Sequence, residues 1–103
     1  MSKIVVLFNL KDGVSVAEYE AWAQETDLPL VNNLPGVERF EIFRTTGLLG
    51  ADDAAPYNFI EILDISDMEK FQVSLGDEVM QRVASEFQGF ADSPLFITTE
   101  SLR

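Results

Sequence analysis

The chemistry open to this 103-residue chain is set first by what it lacks, since the sequence contains neither histidine nor cysteine. A Ser-His-Asp triad, imidazole or thiolate metal sites, iron–sulfur clusters, cysteine nucleophiles and a disulfide framework are all excluded. Proton transfer has to run through carboxylates, tyrosine, lysine or ordered water. A dehydration or ring closure needs one group to protonate a departing hydroxyl and another to accept a proton from carbon or nitrogen. Two carboxyl groups in unlike environments meet that need. Asp27 precedes Leu28-Pro29, a helix-start pattern whose amides and positive dipole end favour the anion, so it is the expected base. The same position equally suits a plain N-cap, worth about 1 kcal/mol. Glu61, between Phe59 and Leu63 on one strand face, is expected to be harder to ionise and is the expected acid.

Other side chains are candidates for holding a substrate. Arg39 and Asn9 are expected to orient it, with Glu41 on the same face, and Phe43, Tyr57 and Phe59 to stack against its rings. Each has a plainer alternative: an Arg39–carboxylate cross-strand pair, an Asn9 that satisfies a strand-end carbonyl, aromatics used only for packing. Tyr19 and Trp22 share helical spacing with Val16, which favours core packing, with ligand stacking as the alternative for Trp22. Asp52-Asp53 lacks a third convergent ligand and reads as a solvated loop, so no metal is expected there.

The elements that must position these residues follow from periodicity. Lys3 to Lys11 is a β-rich apolar run closed by Asp12-Gly13. Ser15-Val16-Ala17-Glu18 has the form of a capping box and opens a first helix, with a second short helical turn starting at Asp27-Leu28-Pro29 and ending before Pro35-Gly36. Strands are expected over Val37 to Thr46, Tyr57 to Ile65 and Pro94 to Leu102, with a loop from Gly47 to Pro56. Ser66-Asp67-Met68-Glu69 reads as a second capping box, before a helical stretch that Gly76 interrupts and Gly89 ends. The order βαββαβ over 1–103 predicts a single α+β domain. Its fold class is ferredoxin-like, a four-stranded antiparallel sheet with both helices on one face.

Strand alternation sorts the residues between two faces. Ile4, Val6, Phe8, Leu10, Phe40, Ile42, Ile60, Ile62, Leu95 and Ile97 are expected under the helices. Val5, Leu7, Asn9, Arg39, Glu41, Phe43, Thr45, Tyr57, Phe59, Glu61, Leu63, Phe96, Thr98 and Glu100 are expected on the other face. That second face is too apolar to stay in water, and the same face of a second copy is its simplest cover. A homodimer enclosing a polar-lined pocket between two sheets is therefore expected. Leu48 and Leu49, held between two glycines, are expected to cover the pocket mouth or the dimer edge. With seven Lys and Arg against eighteen Asp and Glu, the net charge of -11 argues against nucleic acid and anionic membrane partners. No signal-peptide pattern opens the chain, and a cytoplasmic location is expected.

Tyr19-Glu20-Ala21-Trp22, Asp27-Leu28-Pro29-Leu30-Val31 and Leu34-Pro35-Gly36-Val37-Glu38-Arg39-Phe40 together resemble the helix-to-strand signature of the dimeric α+β barrel superfamily, nearest its EthD-like branch. Lys3 to Lys11, Val37-Glu38-Arg39-Phe40-Glu41, Thr45-Thr46-Gly47-Leu48-Leu49-Gly50 and Tyr57-Asn58-Phe59-Ile60-Glu61-Ile62 are similar to the REDY-like (HapK-type) proteins of prodiginine gene clusters. The resemblance covers nearly the whole chain. It implies a role in red tripyrrole pigment biosynthesis, at the stage that builds the bipyrrole half, as a cofactor-free cyclase or dehydratase. Where EthD-like relatives carry histidine in a His-x-Pro-Leu-Val stretch, this chain has Asp27, and whether it inherits a proton-transfer role is open. A non-catalytic carrier of such an intermediate and a cofactor-independent monooxygenase are the alternatives, because fold alone decides no chemistry.

Overall fold

The structure, a computed structural model, describes residues 2–103. Four strands, β1 (Ser2–Leu10), β2 (Val37–Arg44), β3 (Phe59–Ile65) and β4 (Ala91–Thr98), form one antiparallel sheet in the order β2-β3-β1-β4. The two central strands are the most apolar, and their inner residues are the best buried: Val6, Phe8, Phe59 and Ile65 are at most 2% exposed. Phe8 stacks on Phe59, with ring centroids 5.6 Å apart, and meets Phe87 edge-on at 4.9 Å. Its truncation to alanine would cost about 3–5 kcal/mol.

Helix α1 (Val16–Trp22) begins at Ser15, whose Oγ accepts the Glu18 N–H at 3.3 Å. It does not stop at Asp27. A π-helical segment, Ala23–Asp27, carries it without interruption into α2 (Leu28–Asn32), and the Leu28 N–H bonds the Ala23 carbonyl five residues back. Pro29 supplies a reason for the wider turn, because it has no N–H to give and its ring crowds the carbonyl four residues before it. The buried residues of this helix, Tyr19, Ala23, Asp27 and Val31, are spaced by four. In a regular α-helix that stripe would drift by about 40° per step, and the wider winding keeps it facing the sheet. Asp27 is thus helix interior, with helical backbone angles and no capping bond, contrary to the expected helix start.

The second half differs from expectation in smaller ways. Asp67, not Ser66, caps α3 (Met68–Ser74), accepting the Lys70 N–H at 3.0 Å. Helix α3 gives way at Leu75-Gly76, and Asp77 caps α4 (Glu78–Phe90), which continues past Gly89 and runs directly into β4. Gly36 is required where the two halves meet: its φ is +89°, its carbonyl accepts the Ser66 N–H, and a Cβ there would lie 2.4 Å from the Asp67 carbonyl oxygen.

The two faces of the sheet are the main correction. Val6 lies opposite Glu61 and Phe96, Ile4 opposite Leu63 and Thr98, and Phe8 opposite Phe59. Phe59, Glu61, Leu63, Phe96 and Thr98 therefore share the helix-covered face with Ile4, Val6, Phe8 and Phe40. Ile60, Ile62, Leu95 and Ile97 are on the open face with Val5, Leu7, Glu41 and Phe43. In β3 apolar residues occupy both parities, so alternation alone does not choose between them. In β4 a register shift opposite Leu7 to Asn9, beside Ser93 at φ 47°, resets the parity. The open face remains strongly apolar, as expected, with a different membership. Leu48 and Leu49 are both exposed. Among the described residues, no helix is long and apolar enough to cross a membrane.

Candidate active site

Between the sheet and α2, α3 and α4 lies a cavity of about 340 Å³. Its floor is the inner face of the sheet (Ile4, Val6, Phe40, Glu61, Leu63, Phe96 and Thr98), and its walls include Asp27, Val31, Phe71, Leu75, Met80, Val83, Phe87 and Gln88. The lining is apolar except for two carboxyl groups, one amide and one hydroxyl, and among the described residues no cation reaches it. The cavity belongs to one protomer and lies under its helices. It is not the expected chamber between two sheets.

Asp27 and Glu61 both open on this cavity, and each is only 5% exposed. The helix brings Asp27 down from above through the π-helical turn, and β3 brings Glu61 up from below, flanked by Phe59 and Leu63. Burial pushes the Asp27 carboxyl up to about 7. Burial, reinforced by the charge of Asp27, pushes Glu61 up to about 8, and a hydrogen bond from Tyr19 pulls against that rise. The Tyr19 hydroxyl donates to Glu61 Oε2 at 3.3 Å, and its own ionisation is driven far up, by burial first and then by the neighbouring carboxylates. The expected helix-dipole stabilisation of the Asp27 anion is absent because Asp27 is not at a helix start. Both carboxyls are instead held well above the ordinary range by burial.

The remaining predicted site residues are elsewhere. Asn9 spans a turn, its Nδ2 donating to the Pro56 carbonyl and its Oδ1 accepting the Asn58 N–H at 2.9 Å. Arg39 is on the open face, where its Nε is 3.4 Å from Glu41 and 3.5 Å from Asp64. Phe43 lies on that face too. Tyr57 precedes β3 and gives its carbonyl to the Thr45 hydroxyl. Phe59 is core, packed between Phe8 and Tyr19. Trp22 packs on Phe90 and donates from Nε1 to Glu86 at 2.9 Å. None of these seven lines the cavity, and neither do Leu48 and Leu49. Sequence reasoning missed Phe71, Met80 and Gln88 as lining residues, whereas Phe96 and Thr98 share the face of Glu61 as expected. It also missed Tyr19 as the partner of Glu61, whose only signal was a tyrosine at an inward helical position, needing a partner for its hydroxyl.

The geometry belongs to a known lineage, because the family model described as REDY-like protein HapK matches residues 2–102. The chain belongs to the REDY-like HapK family. Within that family, the solved structure of HapK from Hahella chejuensis is 27% identical, covers 99% of this chain and 93% of its own, and superposes with a TM-score of 0.78. Two more distant structures share the fold. SnoaB, a cofactor-independent oxygenase from Streptomyces nogalater, is 16% identical, with 99% and 93% of the two chains covered and a TM-score of 0.76. A dimeric ferredoxin-like protein of unknown function from Thermobifida fusca is 14% identical, with 97% and 90% covered and a TM-score of 0.72. No curated protein matches the chain in sequence.

Proposed function

We propose that this REDY-like HapK family member is a cofactor-free acid/base enzyme of the cyclase or dehydratase type. Its substrate class is an aromatic or pyrrolic intermediate, in a pathway to prodiginine-like pigments. The observation that carries the reading is the pair of nine-tenths-buried carboxyl groups, Asp27 and Glu61, facing one apolar cavity with no cation among the described residues to neutralise them. Burying such groups is costly, and sites that retain them usually use them. Burial raises both groups toward neutral pH, so the pair can hold one proton between them, and we assign that proton to Glu61. Glu61 gives its proton to the departing hydroxyl, which leaves as water, and Asp27 takes a proton from the adjoining carbon or nitrogen. Glu61 is then ionised and Asp27 protonated, and exchange with water restores the pair. The apolar walls hold the rings, and Gln88 and Thr98 offer hydrogen bonds to polar substituents. The protein works as a homodimer joined through the open sheet face, whose apolar residues would otherwise face water. The dimeric state of the Thermobifida fusca protein agrees with this.

Deleting the gene in its native cluster and identifying the accumulated metabolite by mass spectrometry supplies the substrate. With that compound, Asp27→Asn and Glu61→Gln should abolish turnover while leaving binding in place. Binding retained with no turnover in the wild type would make the protein a carrier. Turnover that stops without oxygen would make it an oxygenase. Light scattering should give about twice 11.5 kDa, and a stable monomer at micromolar concentration would remove the dimer.

A further inference from the structure

Among the described residues Tyr19 is the largest fully buried side chain, yet it is not simply filling the core. Its ring is held on several sides, by Phe59 at 4.7 Å, Phe8 and Phe90 at 5.6 Å, and Trp22 at 6.1 Å. Such a setting fixes the hydroxyl to within a small range. A phenylalanine would complete the cluster equally well by volume. The single polar atom that distinguishes tyrosine is spent on Glu61 Oε2, 42 residues away in sequence. Tyr19 itself does not line the cavity. It reaches Glu61 from the side of the aromatic cluster.

We propose that Tyr19 is a positioning residue for Glu61, tying one carboxyl oxygen to the aromatic cluster so that the other is the one presented to the cavity and to the ligand. The inference rests on the reading of Glu61 as the acid. It adds that the acid is oriented, and its anion stabilised, by a group that never touches the ligand. At 3.3 Å the bond is long for a hydroxyl on a neutral carboxyl, and a bond to an ionised carboxylate is shorter and stronger. As Glu61 loses its proton, the Tyr19 hydroxyl therefore stabilises the anion left behind. That lowers the barrier to protonating the leaving group.

The test is a direct titration of the side-chain carboxyl carbons by NMR in the full-length protein, which needs no substrate. In Tyr19→Phe the Glu61 midpoint is expected to rise by about one pH unit, the size of one hydrogen bond to a charged group. Tyr19→Phe keeps the ring, and circular dichroism confirms that the variant is folded. If it does not fold, biosynthetic replacement of both tyrosines by 3-fluorotyrosine supplies a more acidic hydroxyl, and the Glu61 midpoint should then fall. An unchanged Glu61 midpoint in folded Tyr19→Phe, or no fall with fluorotyrosine, overturns the proposal. That failure is separable from failure of the acid/base reading. Glu61→Gln with full turnover removes the catalytic role, whereas an inert Tyr19 beside an essential Glu61 removes only the positioning role.

Discussion

Glu61 and Asp64 are three residues apart on the same strand, equally hidden from water at 5% exposure, and they ionise in opposite senses. Glu61 points under the helices into an apolar cavity where its charged neighbour is another carboxyl, and its pKa climbs to about 8. Asp64 is on the open face, opposite Lys3 and Arg39 in the register of the sheet. The Lys3 ammonium, hydrogen-bonded to it, holds it below the ordinary carboxylate range against the effect of burial, and Arg39 adds to this. Glu61 is enclosed in the core, whereas Asp64 sits on the open face beside its cations, and the company decides the outcome. A buried carboxyl with a cation beside it is an anchor. One with another carboxyl for its charged neighbour, beside an apolar cavity, is a stored cost, and such a group is a candidate for chemistry.

The contrast is sharpest in activity. Glu61→Gln should reduce turnover at least 100-fold, the usual range for losing a general acid, while Asp64→Asn should leave it within a few-fold. Comparable losses from both would mean that the two faces are not functionally distinct. The dependence on pH comes next. The singly protonated state of the pair is most populated between about 7 and 8, so kcat/KM should trace a narrow bell over that interval. A profile flat from pH 5 to 9 would detach the pair from the reaction.

Stability gives a smaller signal of opposite sign at the two sites. Asp27 and Glu61 have folded pKa values above their ordinary ones, so they favour the folded state most when protonated at low pH. That contribution declines as pH rises from the ordinary carboxylate range toward 7 and 8. Asp27→Asn with Glu61→Gln should therefore flatten the fall in Tm between pH 5 and 9, and exceed the wild type at pH 9 by about 1–3 kcal/mol. Asp64 has a depressed pKa. Its contribution is present above the ordinary carboxylate range and fades as the medium is acidified through its folded value. Asp64→Asn should cost about 1 kcal/mol at pH 7, since both cations beside it are well exposed, and progressively less as the pH falls through its folded value. The smallest effect belongs to Arg39→Gln, since Arg39 is well exposed and its pairs are long, and a change under about 1 kcal/mol is expected.

The fold order was legible because each element carries its own signal: the apolar run from Ile4, Ser15 ahead of α1, Asp12-Gly13 and Pro35-Gly36 as breaks. The faces of β3 and β4 were not. Phe59, Ile60, Ile62, Leu63 and Ile65 fill both parities, and the two polar residues, Glu61 and Asp64, fall on opposite ones, so they cancel as a guide. Asp27 and Glu61 were noticed for their residue type, but their meeting under the helices depends on that inverted parity and on a helix that does not end at Asp27. Arg39, Glu41 and Phe43 were placed on the correct face of β2 and then linked to a pocket that lies on the opposite side of the sheet. Tyr19 passed for packing because a hydroxyl leaves no trace in hydrophobic periodicity.

The π-helical segment from Ala23 to Asp27 has a consequence for how the carboxyl is aimed. A π turn amounts to an α-helix with a residue inserted, and its wider winding absorbs that residue, so the segments on either side keep nearly the phase of a regular helix one residue shorter. Wound regularly at the present length, the chain would carry Asp27 about 80° and Val31 about 120° round the helix from Tyr19, off the cavity wall. The aim of this carboxyl is therefore set by winding as much as by side-chain identity. A change that restored regular winding at unchanged length would turn it away from β3, and deletion of one residue between Trp22 and Asp27 would bring it back.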